Sequence, residues 1–222
     1  MSTACAALTR VATFRVPSLQ SFNLIVSRGS VVDFSYHANN VQSAIVNAAN
    51  EKCLGGGGVD GAISSAGGAN LYQDRLNLPI VNGIRCKTGT AVLTGPNTYD
   101  KLHTSHVIHA VGPNYHQYES LEEGDILLSS AYTSSLQCAK DFHLEAVAFS
   151  LLSAGVYRGQ RTVKEVLQIG LEAIYDFDGY EELNEVHMCA FTELEANTLL
   201  EIANDMGLKS IGESESSQCN IL

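Results

Sequence analysis

Three side chains and one run of bare backbone could carry chemistry in this chain. Asn47 and Asn50 close the apolar segment Ala44-Ile-Val-Asn-Ala-Ala-Asn50, and Asp60 follows the run Gly55-Gly-Gly-Gly-Val59. Four glycines in a row forgo side-chain packing and add to the entropy lost on folding. A chain accepts that where a ligand must lie against the backbone. Free N–H groups of such a loop, at a helix start, cradle an anion. The first expectation is therefore a phosphate-bearing ligand held by Gly56, Gly57, Gly58 and Val59. An asparagine amide can donate to one ribose hydroxyl and accept from another. The competing reading of Asn47 and Asn50 is a turn asparagine satisfying its own backbone; beside the glycine loop, ligand contact is preferred for Asn50. Asp60 also has two readings: a carboxylate that orients or deprotonates a water, or an N-terminal acid favoured by the helix dipole.

A second glycine loop, Ser153-Ala-Gly-Val-Tyr-Arg-Gly159, follows the most apolar run of the chain, Ala146 to Ser153, and opens a helix. Ser153, Ala154, Gly155, Val156 and Tyr157 form the second candidate phosphate cradle. Tyr157 stacks on a ribose or closes the pocket in this reading, and is a core tyrosine in the other. Gly56 to Gly61 also fits the dinucleotide pattern G-x-G-x-x-G formally. The residues Asn47 to Leu54, however, separate strand from glycines, and no acid closes the next strand at the required distance. His103, His106 and His109 recur every third residue, which puts neighbours on opposite faces of a strand. They are read as core or rim histidines, and no metal site is expected.

The elements that must position these residues alternate between strand and helix. Strands are expected at Phe22–Val26, Val41–Val46, Thr88–Thr94, His106–Val111, Ala146–Ser153 and Val186–Phe191. Helices are expected at Ala62–Gly68, Ser120–Lys140, Thr162–Tyr175 and Glu193–Met206, the last with a Thr192/Glu195 capping box. Asn70 to Asn82 reads as irregular. The pattern predicts an α/β/α three-layer sandwich.

With 222 residues, 45% of them hydrophobic and 17% charged, the chain is long enough for one sizeable domain. A formal net charge of −11 argues against direct nucleic-acid binding, but leaves room for a phosphorylated small ligand bound by backbone. Six scattered cysteines without a C-x-x-C pair read as free thiols in a reducing compartment. A cytoplasmic or nuclear location is expected, with a mitochondrial one as the alternative. That alternative comes from Met1 to Val16, which is rich in Ser, Thr and Ala, carries Arg10 and Arg15, and resembles a transit peptide in composition. The adopted reading is an N-terminal extension over 1–21 feeding a strand at Thr13–Val16, a domain over 22–208, and a loose tail over 209–222. The chain end Cys219-Asn-Ile-Leu222 matches the C-a-a-X prenylation pattern. Asn220 and the acidic flank fit it poorly, so the match is read as coincidence, and membrane attachment is expected only if Cys219 is prenylated. A monomer is expected.

Taken jointly, Ile45-Val-Asn-Ala-Ala-Asn50, the glycine run with Val59-Asp60-Gly61, Val107-Ile-His-Ala-Val-Gly-Pro113 and Leu152-Ser-Ala-Gly-Val-Tyr157 resemble the macrodomain family, in its order and spacing, across Phe22 to Met206. Within that family the chain is most similar to MacroD-type and viral hydrolases. The resemblance implies a mixed six-stranded sheet between helices, with ADP-ribose across the strand ends. It implies a mono-ADP-ribosyl hydrolase acting on acidic side chains of modified proteins, which also deacetylates O-acetyl-ADP-ribose. The alternative is a non-catalytic ADP-ribose reader. No cofactor is implied. By the same likeness Asn50 positions the distal ribose, Asp60 and a phosphate oxygen set a water for attack, and Gly155, Val156 and Tyr157 wrap the diphosphate. The family's Gly-Asp-Ile triplet is Gly29-Ser-Val31 here. Ser30 thus takes the place of the aspartate that reads the adenine amino group, with Asp33 as a substitute from a shifted position. Ser64 stands where MacroD-type enzymes carry a histidine.

Overall fold

Alternation along the central strands decides the layers. In β3 (Ser43–Ala48) Ala44 and Val46 join one buried cluster, while Ile45 joins another on the opposite face. The same switch divides Ile108 from Val107 in β5 (His106–Ala110), and Val147 and Phe149 from Ala146 and Ala148 in β6 (Ala146–Ser150). Strands apolar on both faces need cover on both, and that produces the three layers. The computed structural model describes residues 8–36 and 42–211. The remaining elements are β1 (Thr9–Val16), β2 (Phe22–Arg28), α1 (Gly58–Leu76), β4 (Ala91–Thr94), α2 (Leu121–Asp141), α3 (Val163–Tyr175), β7 (Glu185–Ala190) and α4 (Glu193–Asp205). Helices α2, α3 and α4 close the larger cluster, and α1 closes the smaller.

The sheet is mixed, in the order β1-β2-β7-β6-β3-β5-β4. The five strands from β2 to β5 run parallel, and the two edges, β1 and β4, are antiparallel. A six-stranded sheet was expected, with a further strand at Thr13–Val16 placed in an extension ahead of the domain; the sheet has seven strands. The additional one is β1, which pairs with β2 from Thr9↔Arg28 to Val16↔Phe22 across a bulge near Ala12. Its burial is patchy, with Thr9, Arg10, Val11 and Arg15 exposed. An edge strand of this kind lacks the continuous apolar run that marks the central ones. Ile211 donates its backbone N–H to Thr13 O, so the start of the tail lies along β1.

The other departure is α1. Helix was expected only to Gly68, with irregular chain beyond; the helix instead resumes and runs to Leu76. Gly68 sits at φ 61, ψ −155, where the helix kinks. A Cβ there would meet Asp100 at 3.1 Å. Both α3 and α4 carry capping boxes, Thr162 with Glu165 and Thr192 with Glu195. Cys53, Cys86, Cys138 and Cys189 are free thiols. Cys219 and its C-a-a-X match lie outside the described residues. No helix among the described residues is long and apolar enough to cross a membrane.

Candidate active site

All five parallel strands deliver their C-terminal ends to one rim, where open α/β sheets bind ligands. Gly29 and Ser30 follow β2, Phe191 follows β7, Leu151 to Ser153 follow β6, Ala49 and Asn50 follow β3, and Gly112 lies just past β5. Together with the start of α1 they enclose two adjoining lobes. The inner lobe, about 420 Å³, is lined by Asn50, Gly56, Gly57, Gly58, Val59, Asp60, Gly112, Ser153, Gly155, Val156 and Tyr157, among others. The outer lobe, about 530 Å³, shares Gly58, Val59, Leu151 and Gly155 with it and adds Gly29, Ser30, Val31, Ala154, Phe191 and Glu195.

Asp60 is the third residue of α1 and only 3% exposed. Its Oδ1 accepts from Asn47 Nδ2 at 2.9 Å, faces the Arg75 charge with Nη2 at 3.2 Å, and has Ser64 Oγ at 3.5 Å. Its Oδ2 is buried with no protein hydrogen-bond partner. A Cβ built on Gly56 would stand 3.2 Å from that oxygen and 3.3 Å from Asn50 Nδ2. Glycine at 56 therefore keeps open a gap with a free acceptor on one side and an amide donor on the other. A hydroxyl or a water fits that chemistry.

Arg75 makes this carboxylate tolerable inside the protein. In a straight helix residues 60 and 75 would sit roughly 22 Å apart along the axis. The kink at Gly68 folds the second half of α1 back, and Arg75, 1% exposed, reaches Asp60 and donates to Ser64 Oγ at 2.6 Å. Ser64 in turn donates to Asp60 O at 2.6 Å. Burial pulls the Arg75 guanidinium below its ordinary value and the Asp60 carboxylate offsets part of that; an arginine stays charged throughout. Behind the pair lies His109, fully buried, whose imidazole is driven well below its usual range by burial and then by the Arg75 charge. A neutral ring has one donor and one acceptor nitrogen. Thr94 Oγ1, which donates to Val107 O at 3.3 Å, accepts from Nε2 at 3.0 Å, and Nδ1 accepts from Asn47 Nδ2 at 3.3 Å. Both amide hydrogens of Asn47 are thereby assigned, one to His109 and one to Asp60.

This places the sequence-derived candidates. Asn50, Asp60, Gly56 to Val59, Ser153 to Tyr157 and Ser30 converge on the two lobes. Asn47 does not: it is fully buried, lines neither lobe, and holds Asp60 from behind. It shares strand parity with Ile45, on the α1 face of β3, which is the signal that would have found this. Asn50 combines both of its readings. Its Oδ1 accepts from Lys52 N–H at 3.1 Å and its Nδ2 donates one hydrogen to Gly55 O at 3.0 Å, while the second amide hydrogen remains for the gap. The Ser153 hydroxyl is turned onto Pro113 O at 2.8 Å. A Cβ on Gly112 would collide with that hydroxyl at 2.4 Å, so the two loops close only over glycine. Ser30 Oγ accepts from Val32 N–H at 3.3 Å and lines the outer lobe, whereas Asp33 is not part of its lining. Gly57, the N-cap of α1, supplies no side-chain cap, which leaves the first-turn N–H groups for a ligand. The described residues hold no cluster of metal-ligand type.

Sequence reasoning passed over Phe191 and Arg75. Phe191 is 74% exposed at the wall of the outer lobe, a ring available to stack on a flat ligand. An aromatic one residue past a strand end was its signal. Arg75 gave none, because its stretch was read as irregular.

The Macro domain model matches residues 46–168, and the chain belongs to the Macro domain family. It is 38% identical to the ADP-ribose glycohydrolase MACROD2 of Mus musculus over 68% of this chain and 30% of that protein. It is 36% identical to the O-acetyl-ADP-ribose deacetylase of Salmonella gallinarum over 74% of this chain and 88% of that one. The Oceanobacillus iheyensis macrodomain solved with ADP superposes with a TM-score of 0.75 at 26% identity, covering 90% of this chain and 98% of the other.

Proposed function

We propose that this chain binds ADP-ribose and hydrolyses its ester to acidic side chains of modified proteins, with O-acetyl-ADP-ribose as a small substrate of the same kind. One observation carries the catalytic half of this reading: Asp60 presents a buried carboxylate oxygen with no protein partner to the gap beside Asn50. In this reading the base lies against Phe191 in the outer lobe, with Ser30 beside it. The diphosphate rests on the α1 N-terminus and on the Gly155–Tyr157 backbone. The distal ribose lies between Asn50 and Asp60. A water adds its oxygen to the distal-ribose carbon that carries the ester, the bond from that carbon to the acceptor carboxylate breaks with the carboxylate leaving as its anion, and the proton lost by the water passes to Asp60 Oδ2. Asn47 and Arg75 are positioning residues that fix the carboxylate. The hydrolase names of two relatives support the class of reaction.

A reader that binds ADP-ribose without turnover is the second reading, favoured by Asp60 being the one carboxylate among the described residues lining the inner lobe and by Ser64, whose hydroxyl is occupied between Arg75 and Asp60. Two measurements separate them: calorimetric titration with ADP-ribose, and release of ADP-ribose from a protein modified on glutamate. Binding with release supports the hydrolase. Binding without release leaves the reader, and no binding removes both.

A further inference from the structure

Beyond the inner lobe the cleft continues into a third recess of about 600 Å³. It shares Asn50, Gly112 and Tyr157 with the inner lobe and no residue with the outer one. The three spaces are therefore serial, with the Asn50–Asp60 gap at the junction of the second and third. A ligand with its base in the outer lobe and its distal ribose at Asn50 is complete before it reaches the recess. Whatever is joined to that ribose continues into it. We infer that this recess receives the acceptor segment of the modified protein, and that Lys52 and Lys87 select segments with acidic residues flanking the modified carboxylate. The inference rests on the hydrolase reading for the direction of the ligand.

The charges on the wall support that occupant. The chain carries 24 acids against 13 lysines and arginines, so an acidic peptide is repelled by most of its surface. Ion pairs engage Arg10, Arg28, Arg75, Arg161 and Lys164; of the lysines and arginines outside any ion pair among the described residues, Lys52 and Lys87 are the two that line the recess. Both are exposed and both line the recess. Glu51, which lines the same recess, is directed onto Thr88, accepting from its N–H at 3.2 Å and its hydroxyl at 2.9 Å. Glu123 is the remaining acid of the lining. Two ammonium groups thus stand free at the exit of the catalytic gap. Ile84, Leu127 and Tyr118 add apolar wall on which a peptide can lie.

The test is the charge-reversed pair Lys52→Glu/Lys87→Glu, whose positions are exposed and outside the Asp60 machinery. Three substrates separate the contributions: O-acetyl-ADP-ribose, a peptide ADP-ribosylated on glutamate with acidic flanks, and the same peptide with serine flanks. For the variant, kcat/KM on the acidic peptide should fall about tenfold at low salt, as expected for two exposed charge contacts, and by less at high salt. The acetyl ester and the serine-flanked peptide should change by no more than about twofold, because neither meets the reversed charges. Equal losses on all three substrates, or no loss on the acidic peptide, overturn the inference. If the wild type hydrolyses none of them, the hydrolase reading fails by itself, and competition calorimetry then decides the recess. Binding of the acidic modified peptide about tenfold tighter than free ADP-ribose, lost in the variant, sustains it; equal binding of the two by the wild type overturns it.

Discussion

Arg75→Met is the most informative structural perturbation. Methionine roughly matches the length of the arginine stem and keeps the space filled, but removes the charge that faces Asp60 at 3.2 Å and the donor to Ser64 at 2.6 Å. Asp60, 3% exposed, would keep Asn47 as its close donor and have no counter-charge. Removing one partner of a buried ion pair costs about 3–5 kcal/mol, against a total stability of about 5–15 kcal/mol. For a domain of this size that lowers Tm by about 6–20 °C. Urea unfolding of wild type, Arg75→Met, Asp60→Asn and the double variant completes a cycle. Because each single change strands a buried partner, the double should be more stable than the sum of the singles implies, by about 2–3 kcal/mol. Additive losses, or an Arg75→Met cost below about 1 kcal/mol, would refute the idea that the kink at Gly68 exists to bring this pair together.

Other outcomes follow from single contacts. Phe191→Ala should weaken ADP-ribose binding about tenfold in calorimetry, the scale of one base–aromatic stack, with Tm nearly unchanged since the ring is 74% exposed. Gly112→Ala, whose Cβ would meet Ser153 Oγ at 2.4 Å, should displace the second loop and weaken binding of ADP-ribose more than binding of adenosine alone. Glu185 is opposed by burial, but His187 and Arg10 hold its carboxyl down at about 2. A depressed carboxyl stabilises the fold above its unfolded value near 4.5 and loses that contribution as pH falls towards 2. Glu185→Gln should therefore lower Tm at neutral pH, with the gap to wild type closing below about pH 4.

What was legible in the sequence was the part of the site made of backbone. Gly56 to Gly58, Gly112 and Gly155 mark places where a side chain would fill the cleft or block a loop, and glycine is the residue type that states this openly. The central strands were legible for a related reason: burial on both faces leaves continuous apolar runs such as Ala146 to Ser150. The support behind the site was not. Arg75 reaches Asp60 only because a single glycine reverses the course of α1, and helical periodicity does not report a kink. His109 was read as a core or rim histidine, but its pairing with Asn47 depends on adjacent parallel strands, β3 and β5, whose register pairs Asn47 with His109. The Asn47 role was misjudged although β3 parity already directed it towards α1. The edge strand β1 was only partly visible, since one exposed face and a bulge near Ala12 blur its alternation.

Hydrolysis is assigned to one oxygen atom, Asp60 Oδ2. Single-turnover release of ADP-ribose from a glutamate-modified protein, measured for wild type and Asp60→Asn alongside calorimetry, tests it most directly. Asparagine retains the shape and removes the proton acceptor. Release should slow by roughly a hundredfold or more, the scale of general-base catalysis, while ADP-ribose binding changes by a few-fold at most. Undiminished release by Asp60→Asn would contradict the assignment of that oxygen to the reaction.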